Sequence, residues 1–224
     1  MRTKSHFGPI FIALVALTLL VGFTQVRPSG WLEDYRRLGH IGGVPLEQVW
    51  LDPLLDVGAY HTLYIAPIEL DARAMRSKSV EEREMAQRLV DAFRATLNRE
   101  LQDAEIFRVV STDPYFSLTK QGGLTLRIRL TEFSRGNPAL RGLIGFGVGA
   151  TQVQVEGKLI ENATGRVVGE FADRRLHPGG ALVWGIQTAM NSEYLIGVDL
   201  KQILDGIVKL FIYLREEGPP ASQF

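Results

Sequence analysis

Cysteine is absent from this chain of 224 residues, and so is any excess of charge of one sign. Without cysteine the chain cannot form disulfides, thiolate nucleophiles or thiolate metal sites. Its 25 basic residues balance its 25 acidic ones, and a neutral chain lacks the clustered positive charge that a nucleic-acid partner requires. We therefore expect no nucleic-acid partner.

Recognisable catalytic and ligand-binding motifs are missing as well. The four histidines lie far apart, and none has the HxxxH or HExxH spacing of a zinc site. The GxSxG motif of a hydrolase nucleophile does not occur. His177 precedes a proline and two glycines and is interpreted as an exposed loop histidine. We predict a protein that is not an enzyme, with no catalytic residue, no cofactor and no metal.

A long apolar run is present at the N-terminus. Residues 7–26, FGPIFIALVALTLLVGFTQV, carry no charge and follow Arg2 and Lys4. As a helix this run would span roughly 30 Å, the thickness of a bilayer core. It therefore predicts a membrane partner, with the N-terminus in the cytoplasm and the body outside.

The end of this run leaves two alternatives open. No AxA site for signal peptidase is present, which favours a retained single-span anchor over a cleaved signal peptide. Leu20, Val21 and Gly22 resemble the three residues before the lipidated cysteine of bacterial lipoproteins. Phe23 stands in the place of that cysteine, so lipidation at this position cannot occur.

The chain is predicted to have four parts. Residues 1–28 are the signal or membrane-anchor segment, 29–55 an irregular lead segment, 56–217 a single α+β domain and 218–224 a flexible tail. The lead segment contains two of the three tryptophans. We expect it to lie against the domain, because these side chains would be costly to leave in water.

Two helices are predicted in the domain. Ser79 and Glu82 have the spacing of a capping box, and an apolar stripe at intervals of four follows them. A second apolar stripe runs from position 200 to 214 and ends before a GPP stop. Both helices are expected to bury one face.

Strands with one polar face are predicted between the helices. Residues 124–130 and 152–159 alternate apolar and polar side chains, and Gly165 marks a hairpin turn into a third strand. The predicted fold is α+β: an antiparallel sheet covered on one face by two helices and preceded by the N-terminal membrane or signal helix.

Residues 134–150 form a long connection that contains the glycine-rich stretch GLIGFGVGA. The glycines lack GxGxxG spacing and a strand follows them, so a phosphate site is not expected. Two interpretations remain: tight packing of backbone on the core, or a surface for a membrane or partner protein. The apolar stretch GGALVWG at 179–185 has the same character. The candidate contact residues are Leu143, Ile144, Phe146, Val148 and Trp184.

Several segments resemble an uncharacterised family of bacterial envelope proteins, mostly lipoproteins, known as domain of unknown function 3313. They are SGWLEDYRRL, YHTLYIAPIEL, LTLRIRLTEFSRGNPAL and VQVEGKLIENATGRVVGEFADRR. The resemblance covers most of residues 29–175. It implies export and envelope association, with no catalytic residues to carry over. The order of elements also resembles modules of the curli-secretion and penicillin-binding-protein-activator lipoproteins, and a shared fold does not determine function.

The leading hypothesis is a non-enzymatic, membrane-tethered periplasmic protein that binds a partner protein of the envelope. One rival is a carrier or sensor of an apolar ligand held between sheet and helices. Another is an envelope hydrolase in which His61 or His177 meets a carboxylate in a cleft. The expected location is the periplasmic face of the inner membrane, or the periplasm if the signal is cleaved.

Overall fold

The computed structural model describes residues 25–118, 121–137, 149–177 and 191–220. Most of the predicted membrane segment, residues 7–24, lies outside the described residues. Within the described ranges, none of the helices combines the length and the apolar character that a bilayer-spanning segment needs.

Seven strands of the described chain form one mixed sheet. They are β1 (Gln48–Leu51), β2 (Thr62–Ile65), β3 (Glu69–Leu70), β4 (Val109–Ser111), β5 (Gly123–Ser134), β6 (Thr151–Glu161) and β7 (Val167–His177). Their order across the sheet is β1-β7-β6-β5-β2-β4, and β3 also pairs with β5. Pro67 separates β2 from β3, because proline has no amide hydrogen to donate to the ladder.

The α+β class is confirmed, but the prediction of an antiparallel sheet is wrong for one side of it. Strands β5, β6, β7 and β1 pair antiparallel, whereas β2 lies parallel to both β4 and β5. The cause is the long helical connection before β4. A strand–helix–strand crossover returns the chain to the end of the sheet where it started, and its two strands are then parallel.

Two long helices pack on one face of the sheet. A short helix, α1 (Ala72–Met75), precedes α2 (Val80–Asp103), and α3 (Ser192–Glu216) follows β7. The predicted capping box at the start of α2 is confirmed. Ser79 Oγ accepts from the Glu82 amide at 3.1 Å, and Glu82 Oε2 accepts from the Ser79 amide at 3.0 Å. The buried faces of the two helices include Met85, Val90, Phe93, Leu97, Ile196, Leu200, Ile203, Ile207 and Phe211.

Part of the segment expected to be irregular forms a strand. Residues 48–51 are edge strand β1, which pairs antiparallel with β7. Val49 and Leu51 are buried in the core, while Gln48 and Trp50 alternate with them on the other face. Val49, Trp50 and Leu51 are consecutive apolar residues, so the sequence shows no alternation here, and pairing with β7 determines the conformation.

Glycine is needed at two positions of the β6–β7 hairpin. Gly165 in the turn has a φ of 72°, as the sequence predicted. Gly157 lies opposite Phe171, and a Cβ at position 157 would come within 2.1 Å of two ring carbons of Phe171. Gly157 therefore provides the space for a buried aromatic ring.

The Gly157→Ala variant is expected to lower the free energy of unfolding by about 1–3 kcal/mol, because the Phe171 ring must move within a packed core. The control is Gly197→Ala in α3, where an added Cβ meets no atom within 4 Å. Removing a helix glycine there should raise the free energy of unfolding by about 0.5–1 kcal/mol. Urea denaturation measures both changes, and wild-type stability of Gly157→Ala would contradict this packing.

Candidate functional site

The face of the sheet opposite the helices carries residues 26–38, which we call the strap. A small apolar cluster fixes the strap to β7. It consists of Val26, Leu32, Leu38 and Ala172, with Trp31, Tyr35 and Trp50 packed around them. The aromatic side chains of the lead segment thus lie against the sheet.

Glu156 of β6 is fully buried beneath the strap and accepts hydrogen bonds from it. The hydroxyls of Ser29 and Tyr35 donate to Glu156 Oε2 at 2.7 and 2.8 Å. The Tyr35 oxygen also accepts from the backbone amides of Ser29, Gly30 and Trp31 at 3.1–3.2 Å. Because a buried carboxylate is costly unless it is hydrogen-bonded, these contacts determine how the strap turns over β6.

Glu170 of β7 is a second buried carboxylate under the strap. It accepts from the Glu33 amide at 3.0 Å and from Arg37 Nη2 at 2.8 Å, and Lys158 Nζ lies 3.8 Å away. The Arg37 guanidinium also stacks on Trp50, with Cζ 3.6 Å from the ring centroid. Without the strap both glutamates would lose donors, so the strap and this face of the sheet form one unit.

The strap runs alongside β6, and its direction shows where the chain enters the domain. The Arg27 amide donates to Gln154 Oε1 at 2.8 Å, and Gln154 Nε2 donates to the Arg27 carbonyl at 2.7 Å. The next strap contact lies two residues further along β6. The Val26 amide donates to Glu47 Oε1 at 2.8 Å. The chain therefore reaches the strap from the end of the sheet where β6 begins, which we call the tether end.

Both apolar segments identified in the sequence join the domain at the tether end. There β5 ends at Ser134, and Thr151 at the start of β6 pairs with His177 at the end of β7. Helix α3 begins beside them, where Ser192 Oγ donates to the Arg135 carbonyl at 2.9 Å. The candidate contact residues themselves lie outside the described residues: Leu143, Ile144, Phe146, Val148 and Trp184.

A polar groove of about 670 Å³ opens at the tether end between β7, α3 and residues 40–47. Glu47, Asp173, Arg175, His177 and Asp199 are among the residues that line it. The groove is large enough for a small-molecule ligand.

His177 is part of this groove, and its interpretation as an exposed loop histidine is wrong. It is the last residue of β7, its side chain is 12% exposed, and its Nδ1 lies 3.3 Å from Asp199 Oδ1. The hydrolase hypothesis predicted a contact between His61 or His177 and a carboxylate, and the contact of His177 with Asp199 is of this kind. His61, the other histidine of that hypothesis, is exposed at the opposite end of the sheet, where its amide donates to the Gly122 carbonyl.

Two carboxyl groups of the groove, those of Glu47 and Asp173, have raised pKa values. Burial raises the pKa of Asp173 above its ordinary value, and the nearby Asp199 carboxylate adds to this rise. A hydrogen bond from Arg175 Nη2 to Asp173 Oδ2 at 2.7 Å acts in the opposite direction. Burial also raises the pKa of Glu47, opposed by hydrogen bonds from two backbone amides.

The acidic residues of the groove were not identified from the sequence, although a signal was present. Phe171 of β7 points into the core, so a period of two places Asp173, Arg175 and His177 on the same, helix-covered face. Asp199 lies on the apolar stripe of α3 and is buried. Charged residues at core positions of both elements indicate a polar site where strand and helix meet.

Comparison with known proteins gives a family match. The family model described as "Domain of unknown function (DUF4410)" matches residues 61–179, more than half of the chain. The matched span runs from β2 to just beyond β7. The resemblance stated from the sequence named a different family number, 3313. No curated protein matches the chain.

Several solved structures share part of the fold at low identity. A variant of the PelC dodecamer from Paraburkholderia phytofirmans has a TM-score of 0.42 and 11% identity, over 72% of this chain and 95% of that one. Protein XCC0632 from Xanthomonas campestris has a TM-score of 0.44 and 14% identity, over 71% and 85%. Lipoprotein GNA1162 from Neisseria meningitidis has a TM-score of 0.34 and 12% identity, over 65% and 95%. Similarity at this level does not indicate a function.

Tyr35→Phe is expected to lower the free energy of unfolding by about 1–3 kcal/mol, because buried Glu156 loses a donor and four strap amides lose an acceptor. Tyr115→Phe is the matched control, since Tyr115 is 71% exposed, and it should change stability by less than about 0.5 kcal/mol. Urea denaturation provides the comparison. Equal effects of the two substitutions would show that the Tyr35 hydroxyl does not hold the strap.

Asp173→Asn is expected to alter the pH dependence of stability. The folded chain raises the pKa of Asp173 above its ordinary 3.8, so the folded state holds the proton more tightly than the unfolded state. The resulting stabilisation is present at low pH and is lost as the pH rises from about 4 through the raised pKa.

We therefore expect the wild-type free energy of unfolding minus that of Asp173→Asn to fall as the pH rises from about 4 through the raised pKa of Asp173. Urea denaturation at a series of pH values measures this difference. Asp205→Asn serves as the control, because Asp205 is exposed and pairs with Lys201. If the difference for Asp173→Asn increases with pH, the pKa of Asp173 is not raised in the folded state.

Proposed function

We propose that the chain, which belongs to the family described as domain of unknown function DUF4410, is a non-enzymatic bacterial envelope protein held at a membrane by its N-terminal segment. In this proposal residues 7–26 anchor the chain and the domain stands on the periplasmic face of the inner membrane. The position of the strap is the main observation that supports this proposal. It begins at Val26, where the apolar segment ends, so no free linker separates the domain from the bilayer.

The strap contacts support a particular orientation, with the tether end toward the membrane. The connection 134–150 and the segment that contains the apolar stretch 179–185 join the domain at this end. Val80 and Tyr194, in the first turns of α2 and α3, are 68% and 54% exposed there. Apolar and aromatic side chains are favourable at a membrane interface. We therefore assign membrane contact to Leu143, Ile144, Phe146, Val148 and Trp184.

The opposite end of the domain then faces the periplasm. Leu54, Tyr115 and Leu118 are 85%, 71% and 71% exposed at that end. We assign the binding of a partner envelope protein to this end of the domain.

Single-site fluorescent labelling tests the orientation. Because the chain has no cysteine, Ile144→Cys and Phe146→Cys each create one labelling site for an environment-sensitive dye. In the full chain reconstituted into liposomes, both dyes should emit at shorter wavelength and be quenched by lipid-borne quenchers. The control is Leu54→Cys at the opposite end, whose dye should be quenched by aqueous iodide.

Two outcomes would contradict the proposal. Iodide quenching at positions 144 and 146 as strong as at position 54 would show that the tether end does not face the membrane. Cell fractionation with N-terminal sequencing tests the anchor separately. A mature chain that starts beyond residue 20 in the soluble periplasmic fraction would show cleavage instead of a tether.

A further inference from the structure

The groove at the tether end contains buried polar atoms that the fold does not pair. Among the described residues of the groove these are Asp173 Oδ1, Asp199 Oδ2 and Arg175 Nε. The Asp173 and Asp199 side chains are only 1% and 4% exposed. Buried polar groups without a partner are few in native proteins and call for a specific explanation.

The other oxygen of each of the two carboxylates has a partner, which holds the side chain in place. Asp173 Oδ2 accepts from Arg175 Nη2 at 2.7 Å, and Asp199 Oδ1 lies 3.3 Å from His177 Nδ1. One oxygen of each carboxylate is thereby fixed, while the other, Asp173 Oδ1 or Asp199 Oδ2, is buried in the lining of the groove without a hydrogen bond of normal geometry. The backbone amide of Glu47 also acts on the Asp173 carboxyl and lowers its pKa. Arg175 Nε supplies an unpaired donor on the same wall.

We propose that the groove binds a small molecule that carries a primary ammonium group. An ammonium has three N–H donors and one positive charge, so it can bond both free carboxylate oxygens with charge-assisted hydrogen bonds. The Arg175 Nε donor requires an acceptor, which a hydroxyl or carbonyl oxygen near the ammonium would provide. This site is independent of the membrane tether.

A metal ion fits the groove less well than an ammonium. In the part of the chain that the structure describes, no group of three or more histidine, cysteine, aspartate or glutamate side chains is arranged to hold a metal ion. Water is the remaining competitor, because a water molecule could also donate to both oxygens. An experiment with a cationic and a neutral probe distinguishes these occupants.

A titration of the wild-type chain gives the first test. The full chain in detergent micelles, with isotope-labelled histidine, is titrated at pH 7 with n-butylamine, n-butanol or tetramethylammonium chloride. We expect n-butylamine to shift the His177 ring signals, because the ring contacts Asp199, and to leave those of His61 at the opposite end unchanged. n-Butanol and tetramethylammonium should have no effect. No shift with n-butylamine, or an equal shift with n-butanol, would overturn the proposal.

A variant locates the site. Asp199→Asn keeps the shape of the side chain and removes its charge, and it should weaken n-butylamine binding by about tenfold or more. Asp205→Asn is the matched control on the same helix, exposed and paired with Lys201, and it should bind as the wild type does. Undiminished binding by Asp199→Asn would show that the amine binds elsewhere. Should this variant fail to fold, the wild-type titration still decides the question.

Discussion

Two buried carboxylates hold this architecture together. Glu156 and Glu170 lie on neighbouring strands of the antiparallel half of the sheet, away from the helices. The strap supplies them with hydroxyl, amide and guanidinium donors. A carboxylate removed from water is stable only with such partners, so the sheet depends on the strap as much as the strap depends on the sheet. Removing the N-terminal third of the lead segment would therefore disturb the domain itself.

The same contacts connect the fold to the proposed function. The strap follows the apolar N-terminal segment without a linker, so the residues that stabilise the sheet would also orient the domain relative to the proposed anchor. The two apolar segments join the described domain at this end, and the polar groove opens there. Under the proposed orientation, a ligand in the groove would lie close to the bilayer surface.

Local sequence patterns predicted the helices and most strands well, but they did not predict which distant segments pair. The capping box at Ser79 and the turn at Gly165 depend on a few neighbouring residues, so the sequence was sufficient for both. The direction of β2, the strand at 48–51 and the burial of His177 depend on partners far along the chain. The residues of the groove were missed because charged residues at core positions of β7 and α3 indicate a shared site only when the two elements are known to be neighbours. They form a site only where β7 and α3 meet.

The pairing of the strap with β6 also has a consequence for biogenesis. Arg27 and Ser29 bond residues that lie 127 positions later in the chain. During synthesis the strap is made before its partners and stays without them until the β6–β7 hairpin is available. Under the proposed export, that hairpin must also cross the membrane before the contact can form. Contacts of such long sequence separation form slowly. The strap can therefore close over the sheet only after most of the domain is available, and under the proposed export the chain would be translocated before this contact forms.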